Sequence, residues 1–443
     1  MHSFFTMLQL FLFVLMYSAL SHANTDSEDL SSVFQHALKN DFQWASKVHA
    51  YNANKEAKAL GASGIKPTVK LNAQTSQDSY DSDTFGNDSY SSTSYGATLV
   101  QPIFRLDKWR DYQKGRALER QADAEFQYEQ QAFYLRVADV YFDVLRAEEN
   151  LTFRKAEKSA IKSQMEQIQY RFKAGLAADT DVQEAKAAFD LITVQHIIAQ
   201  QELDFSLENL HTLTGVTLSR VTPLKSIIPI NAPSPASMKE WTNTALAYNP
   251  VLRAARYAKQ AAQRNYQVKT SAHLPTLDLV GNYRDTDRYI QTSEGELSST
   301  SISLKLEIPL YSGGAISASR RQAKELYLQA SEEFNFKNRE LLQNTRNLYR
   351  LVSTDISRVH AQKQGIRSMD AALTAIEAGY SSGTRTILDV LNAQNTLYSA
   401  KRDYANARFD YILDSLRLKQ VAGILSDEEL LNINNWLGEK ETP

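Results

Sequence analysis

Two short segments of the chain alternate apolar and polar residues. Val69, Leu71 and Ala73 fall on one side of residues 68–73, with Thr68, Lys70 and Asn72 on the other. This is the period-two pattern of a strand with one apolar face. Ile302, Leu304, Leu306 and Ile308 repeat it against Ser303, Lys305 and Glu307. Each segment has a partner: residues 95–101 return after the polar stretch 76–93, and residues 273–279 precede the polar stretch 284–298. The spacing predicts two hairpins whose polar stretches are loops. The rest reads as helix, over 27–60, 104–174 and 182–213 around the first hairpin and 238–272, 316–380 and 387–421 around the second.

The breakers agree with that reading. Residues 103–222 and 310–442 contain no proline, and the whole chain holds only Gly 16 and Pro 10, about half the usual share of roughly 12 %. A compact α/β enzyme needs a breaker at most of its turns. Over more than half its length this chain asks for very long helices instead.

The order of elements occurs twice. Ile65-Lys66-Pro67-Thr68-Val69-Lys70-Leu71 matches His273-Leu274-Pro275-Thr276-Leu277-Asp278-Leu279 at an offset of 208 residues. Val100-Gln101-Pro102-Ile103-Phe104 matches Glu307-Ile308-Pro309-Leu310-Tyr311 at 207, and Gly175, Asp181, Val182 and Ala185 match Gly383, Asp389, Val390 and Ala393 at 208 again. Three anchors that agree in spacing to within one residue mark a tandem duplication. We divide the chain into repeat 1 (24–215), a linker (216–237), repeat 2 (238–425) and a C-terminal segment (426–443). Residues 104–174 would span about 105 Å as helix. Two shorter helices laid end to end match the long one in each repeat, so their junctions, the linker and the C-terminal segment should meet at a waist half-way along.

Residues 7–20 are uncharged and mostly apolar and are followed by Ser21-His22-Ala23, which predicts a signal peptide over 1–23. That run is short of the ~20 residues a spanning helix requires. Membrane contact must therefore come from the strands, which alternate as barrel strands do. Four strands cannot close a barrel, and an open edge in lipid leaves backbone groups unpaired. Several chains must share one barrel; three would give 12 strands.

Composition removes other classes. With 49 basic and 51 acidic residues, nothing electrostatic points to nucleic acid. Cysteine is absent, the histidines are scattered, and no phosphate loop, zinc-binding spacing or nucleophile elbow occurs. We expect no enzyme, no cofactor and no metal. Carboxylates mixed with arginines, as at Arg146-Ala147-Glu148-Glu149, read as solvated helix faces.

Residues 380–393, Tyr-Ser-Ser-Gly-Thr-Arg-Thr-Ile-Leu-Asp-Val-Leu-Asn-Ala, closely resemble the tip motif of the TolC-type outer-membrane efflux and type I secretion duct family. Thr396-Leu397-Tyr398-Ser399-Ala400-Lys401 is similar to its next helix, and Tyr170-Arg171-Phe172 with Gly175-Leu176 and Thr180-Asp181-Val182-Gln183 to the matching turn of the first half. The resemblance covers residues 24–437. It implies a mixed α+β membrane protein: a homotrimeric 12-stranded outer-membrane β-barrel, four strands per chain, continued by a long periplasmic α-helical coiled-coil barrel. It further implies a passive duct in outer-membrane lipid for multidrug efflux and type I protein secretion, opened at its periplasmic tip by an adaptor and an inner-membrane transporter of RND or ABC type. The rival reading is an exported trimeric coiled-coil structural or adhesin-like surface protein.

The resemblance also assigns residues. Asp181 accepts a hydrogen bond from Tyr380, and Arg385 bonds the Thr180 region of a neighbouring turn, closing the gate; spacing alone favours Asp181 as a helix cap, and the matched motif reverses that. Asp389 lines the pore as a ring of three carboxylates. Where the family carries a second aspartate one turn on, this chain has Asn392. The adaptor docks at Gly175-Leu176 and Gly383-Thr384, preceded here by Ala174 and Ser382 where relatives carry valine.

Overall fold

The computed structural model describes residues 27–82, 86–290 and 293–438. The signal peptide expected at 1–23 lies outside them. Among the described residues the order is α1 (Leu30–Asn40), α2 (Phe42–Lys55), α3 (Ala57–Ser63), β1 (Thr68–Ser82), β2 (Gly86–Phe104), α4 (Leu106–Lys173) and α5 (Asp179–Thr214). The second half repeats it as α6 (Met238–Tyr248), α7 (Pro250–Ser271), β3 (Thr276–Ile290), β4 (Ser293–Glu307), α8 (Ala315–Ser381) and α9 (Ile387–Ala422), followed by α10 (Asp427–Asn434).

The four strands form one antiparallel sheet in the order β1-β2-β3-β4. Thr68 faces Val100, and Thr276 faces Glu307, so both hairpins keep one register a repeat apart. Directly opposed residues share a face. Val69 sits opposite Leu99, Leu99 opposite Gly281 and Gly281 opposite Ile302, which carries the apolar face unbroken across all four strands. The other face holds Lys70, Asn72, Thr98, Asn282, Lys305 and Glu307, with Thr98 Oγ1 donating to Asn282 Oδ1 at 3.1 Å. On the apolar face Leu71, Ile302 and Leu304 are largely exposed.

The strands run further than the alternation predicts. Residues expected as loops, 76–82, 86–93 and most of 284–298, are paired in the ladder. Backbone hydrogen bonds hold these segments regardless of side-chain polarity, and the loss of alternation marks where an apolar surroundings ends, not where the strand ends. The helix expected over 27–60 is likewise divided. Asp41 breaks it and caps α2, its side chain accepting from Gln43 N. At the matching place in repeat 2, Asn249 caps α7 by accepting from Leu252 N at 2.8 Å, and Pro250 begins the helix. Both are N-cap residue types.

α4 and α8 are the long helices, with 68 and 67 residues, about 100 Å each. Towards the sheet α4 packs on α3 and α7, and beyond mid-length on α5 and α9. No described helix is long and apolar enough to cross a membrane. The main core lies at mid-length, where Tyr141, Phe142 and Leu145 of α4 meet Phe409, Ile412 and Leu416 of α9. Val221, Leu224 and Ile433 from the linker and α10 close round it. Tyr141 donates its hydroxyl to Thr222 O at 2.7 Å, so the linker is tied to α4 by a hydrogen bond as well as by packing.

Candidate functional site

The end of the helices remote from the sheet is built twice over. At the α4–α5 turn Gly175 adopts φ 74°, and at the α8–α9 turn Gly383 adopts φ 77°, a left-handed conformation that glycine enters without penalty. Gly175 N donates to Phe172 O at 2.9 Å and Leu176 N to Arg171 O at 2.8 Å. Gly383 N donates to Tyr380 O at 3.1 Å and Thr384 N to Gly379 O at 2.8 Å. Both turns thus close their helices with the paired bonds of a Schellman motif.

The helices that follow begin differently. Asp389 Oδ2 accepts from Thr386 N at 2.9 Å and Thr386 Oγ1 at 3.0 Å, while Asp389 N donates to Thr386 Oγ1 at 3.2 Å, a reciprocal capping box. Asp181 Oδ2 accepts from Ala178 N at 3.2 Å. Ala178 has no hydroxyl to complete the exchange, so α5 carries half a box. The Thr386 backbone amide first, then its hydroxyl and the charge of Arg385, hold the Asp389 carboxyl below its usual range.

A small core joins the two turns. Ile161 and Ile168 of α4, Ala185 and Ile192 of α5, and Ile387, Val390 and Leu391 of α9 are buried together, with Ile376 and Tyr380 of α8 packed against them. Thr180 is exposed. Asp181 and Tyr380 are not hydrogen-bonded: the carboxylate is engaged with its own cap, and the Tyr380 ring lies under Arg171, whose guanidinium carbon is 5.1 Å from the ring centroid. Among the described residues no hydrogen bond joins Arg385 to Thr180 within one chain. Its backbone N–H donates to Gly379 O at 3.2 Å, and its side chain covers Gly379 so closely that a Cβ there would stand 2.8 Å from Arg385 Cγ.

Asp389 and Asn392 lie one turn apart on α9. Gly175, Leu176, Gly383 and Thr384 are exposed, with Leu176 at 69 %, and nothing lies within 4 Å of where a Cβ would stand on either glycine.

Glu157 was missed by sequence reasoning. It is 1 % exposed, and its Oε2 accepts from Arg154 and from Arg402 of α9, each at 3.1 Å. It borders a groove of ≈ 550 Å³ whose floor is Ile161, Ala188, Ile192 and Leu391. In the sequence it is one more glutamate beside arginines; only the passage of α9 across α4 buries it.

The family model described as outer membrane efflux protein matches residues 33–216 and 241–424. The chain is 34% identical over 420 residues to the outer membrane protein TolC of Vibrio cholerae, covering 93% of this chain and 94% of that protein. It is 29% identical over 420 residues to the alkaline protease secretion protein AprF of Pseudomonas aeruginosa, covering 92% and 87%. Among solved structures it is similar to the CmeC outer membrane channel of Campylobacter jejuni, with a TM-score of 0.77 at 16% identity over 94% of this chain and 91% of that one. At that identity the likeness speaks for the fold alone.

Proposed function

The chain belongs to the outer membrane efflux protein family, and we propose that three copies of it close a 12-stranded barrel in the outer membrane above a helical tunnel through the periplasm. The observation that carries this is the sheet. Among the described residues β1 and β4 end it with unpaired edges, and one face is apolar from edge to edge. Open edges in lipid cost several kcal/mol per unpaired group, so the edges call for partners of their own kind.

The duplication supplies the register. β2 meets β3 with Gln101 opposite Leu279. Carried forward by one repeat, this sets Ile308 opposite Leu71 of the next copy, Leu306 opposite Ala73, and Lys305 and Glu307 opposite Gln74 and Asn72. Apolar residues then meet apolar ones outside and polar meet polar inside. Along α5, Leu191, Ile198 and Phe205 are spaced seven apart and exposed, which is the seam of a coiled coil awaiting a neighbour.

The duct serves efflux and type I secretion, working with a periplasmic adaptor and an inner-membrane transporter. Its gate is the tip that carries Thr180, Asp181, Tyr380 and Arg385. The open space over Gly175-Leu176 and Gly383-Thr384 suits the close approach of an adaptor hairpin. Asp389 gives a single carboxylate ring at the entrance, without a second at Asn392.

The absence of cysteine makes the closure easy to test. Leu71→Cys and Ile308→Cys stand at opposite edges of one sheet, too far apart to join within a chain. Oxidation of the double variant in outer membranes should yield a covalent trimer on a denaturing gel. Recovery of single chains only would refute the shared barrel.

A further inference from the structure

We propose that Arg171 is a latch residue of the tip: its guanidinium, seated on the Tyr380 ring, ties the α4–α5 hairpin to the α8–α9 hairpin. This rests on the duct reading above and names the contact that keeps the entrance shut.

Arg171 lies in the last turn of α4 and Tyr380 in the last turn of α8. The contact therefore joins repeat 1 to repeat 2. It is not itself duplicated. The residues one repeat away from Arg171 and Tyr380 are Gly379 and Phe172, so only one of the two possible pairings keeps a cation opposite a ring. At 5.1 Å it is also the shortest cation-to-ring distance among the described residues.

The surroundings leave both partners committed to one another. Among the described residues Arg171 forms no ion pair, and the Tyr380 hydroxyl has no hydrogen bond. Asp181, the acceptor that the tip motif would offer that hydroxyl, is held by Ala178 N. Tyr380 packs against the tip core beside Ile376, while Arg171 meets its ring from the α4–α5 hairpin. A guanidinium over a ring needs no single aligned proton. It is released when the hairpins part or when a docking protein offers a carboxylate, because the bidentate arginine–carboxylate pair is the stronger contact.

The test is the single-channel conductance of purified wild-type and variant protein in planar bilayers. Tyr380→Leu and Arg171→Gln should each raise conductance severalfold, and Tyr380→Phe, which keeps the ring but not the hydroxyl, should raise it far less than Tyr380→Leu. Arg171→Lys, which restores a cation, should return it most of the way. Opening by Tyr380→Phe to the level of Tyr380→Leu would give the latch to the hydroxyl and overturn the proposal. So would wild-type conductance in Arg171→Gln with its thermal melt unchanged. A wild-type protein that forms no conducting pore would overturn the duct reading and the latch together, whereas conducting variants that never open would overturn the latch alone.

Discussion

At mid-length of α4 and α9 the core is wide and aromatic. Tyr141, Phe142 and Phe409 are buried there, and chain from the linker and α10 wraps the outside. Some twenty-five residues along the same helix the buried core has thinned to aliphatic side chains, bordered by exposed Tyr170 and Leu176. Long-range contacts and buried apolar area set local stability. The waist can thus stay folded while the tip rearranges, which suits the gate proposed for the tip. The two regions also use charge differently. At the tip, Asp389 is solvated and its carboxyl is held low. At the waist, Asp355 is 1 % exposed; its Oδ1 pairs with Arg358 at 3.0 Å, and its Oδ2 has no hydrogen-bond partner among the described residues.

The largest effect should separate the two cores. Phe142→Ala removes a fully buried ring at the waist and should cost about 3–5 kcal/mol in a denaturant melt. Ile168→Ala, equally buried at the tip, should instead raise hydrogen exchange near residues 160–190 and 376–392 and leave the global melt nearly unchanged. Equal global losses would erase the distinction between waist and tip.

The next concerns protons. Burial, together with the neighbouring Asp414, pushes the Asp355 carboxyl up to about 6 against the pull of Arg358. The folded chain then holds that proton more tightly than the unfolded chain, so its contribution is lost as pH rises from about 4 to about 6. Asp355→Asn keeps the neutral form throughout. It should match wild type in thermal melts near pH 4 and exceed it by on the order of 1–2 kcal/mol above pH 6. A constant difference at all pH values would show that Asp355 does not titrate in that window.

A smaller effect distinguishes the two tip turns. Thr386→Ala should cost about 1 kcal/mol in the first turn of α9, and Ala178→Thr, which completes the box at α5, should gain about 0.5–1 kcal/mol. Amide exchange of the two turns, compared in one protein, reads both. Last, Asn392→Asp should leave stability unchanged and strengthen block of the pore by trivalent cations, since in the proposed trimer it would add a second ring of carboxylates. Unchanged block would place Asn392 away from the pore axis.

Much of the architecture could be read from the residues. The strand faces at 68–73 and 302–308, the repeat offset and the turns at Gly175 and Gly383 all rest on periodicity or backbone conformation, which are local and therefore written locally. The polar ends of the strands could not be read, because ladder hydrogen bonds leave no mark on side-chain type. The breaks at Asp41 and Asn249 were available as cap residues, yet a helix that resumes in nearly the same direction gives no loop to notice.

The candidate site divides the same way. Asp181 as a helix cap follows from the residues beside it. Glu157 is paired with Arg402, 245 residues away, and Asp414 of α9 helps raise the carboxyl of Asp355 on α8. The ring that Arg171 holds belongs to the other repeat. By itself the sequence determined that this protein is a doubled unit of long helices and one-faced strands, because hydrogen bonding and apolar period act between near neighbours. Only the tertiary structure decided which charges lose their water and which hairpin grips which, because those outcomes are set where one repeat crosses the other.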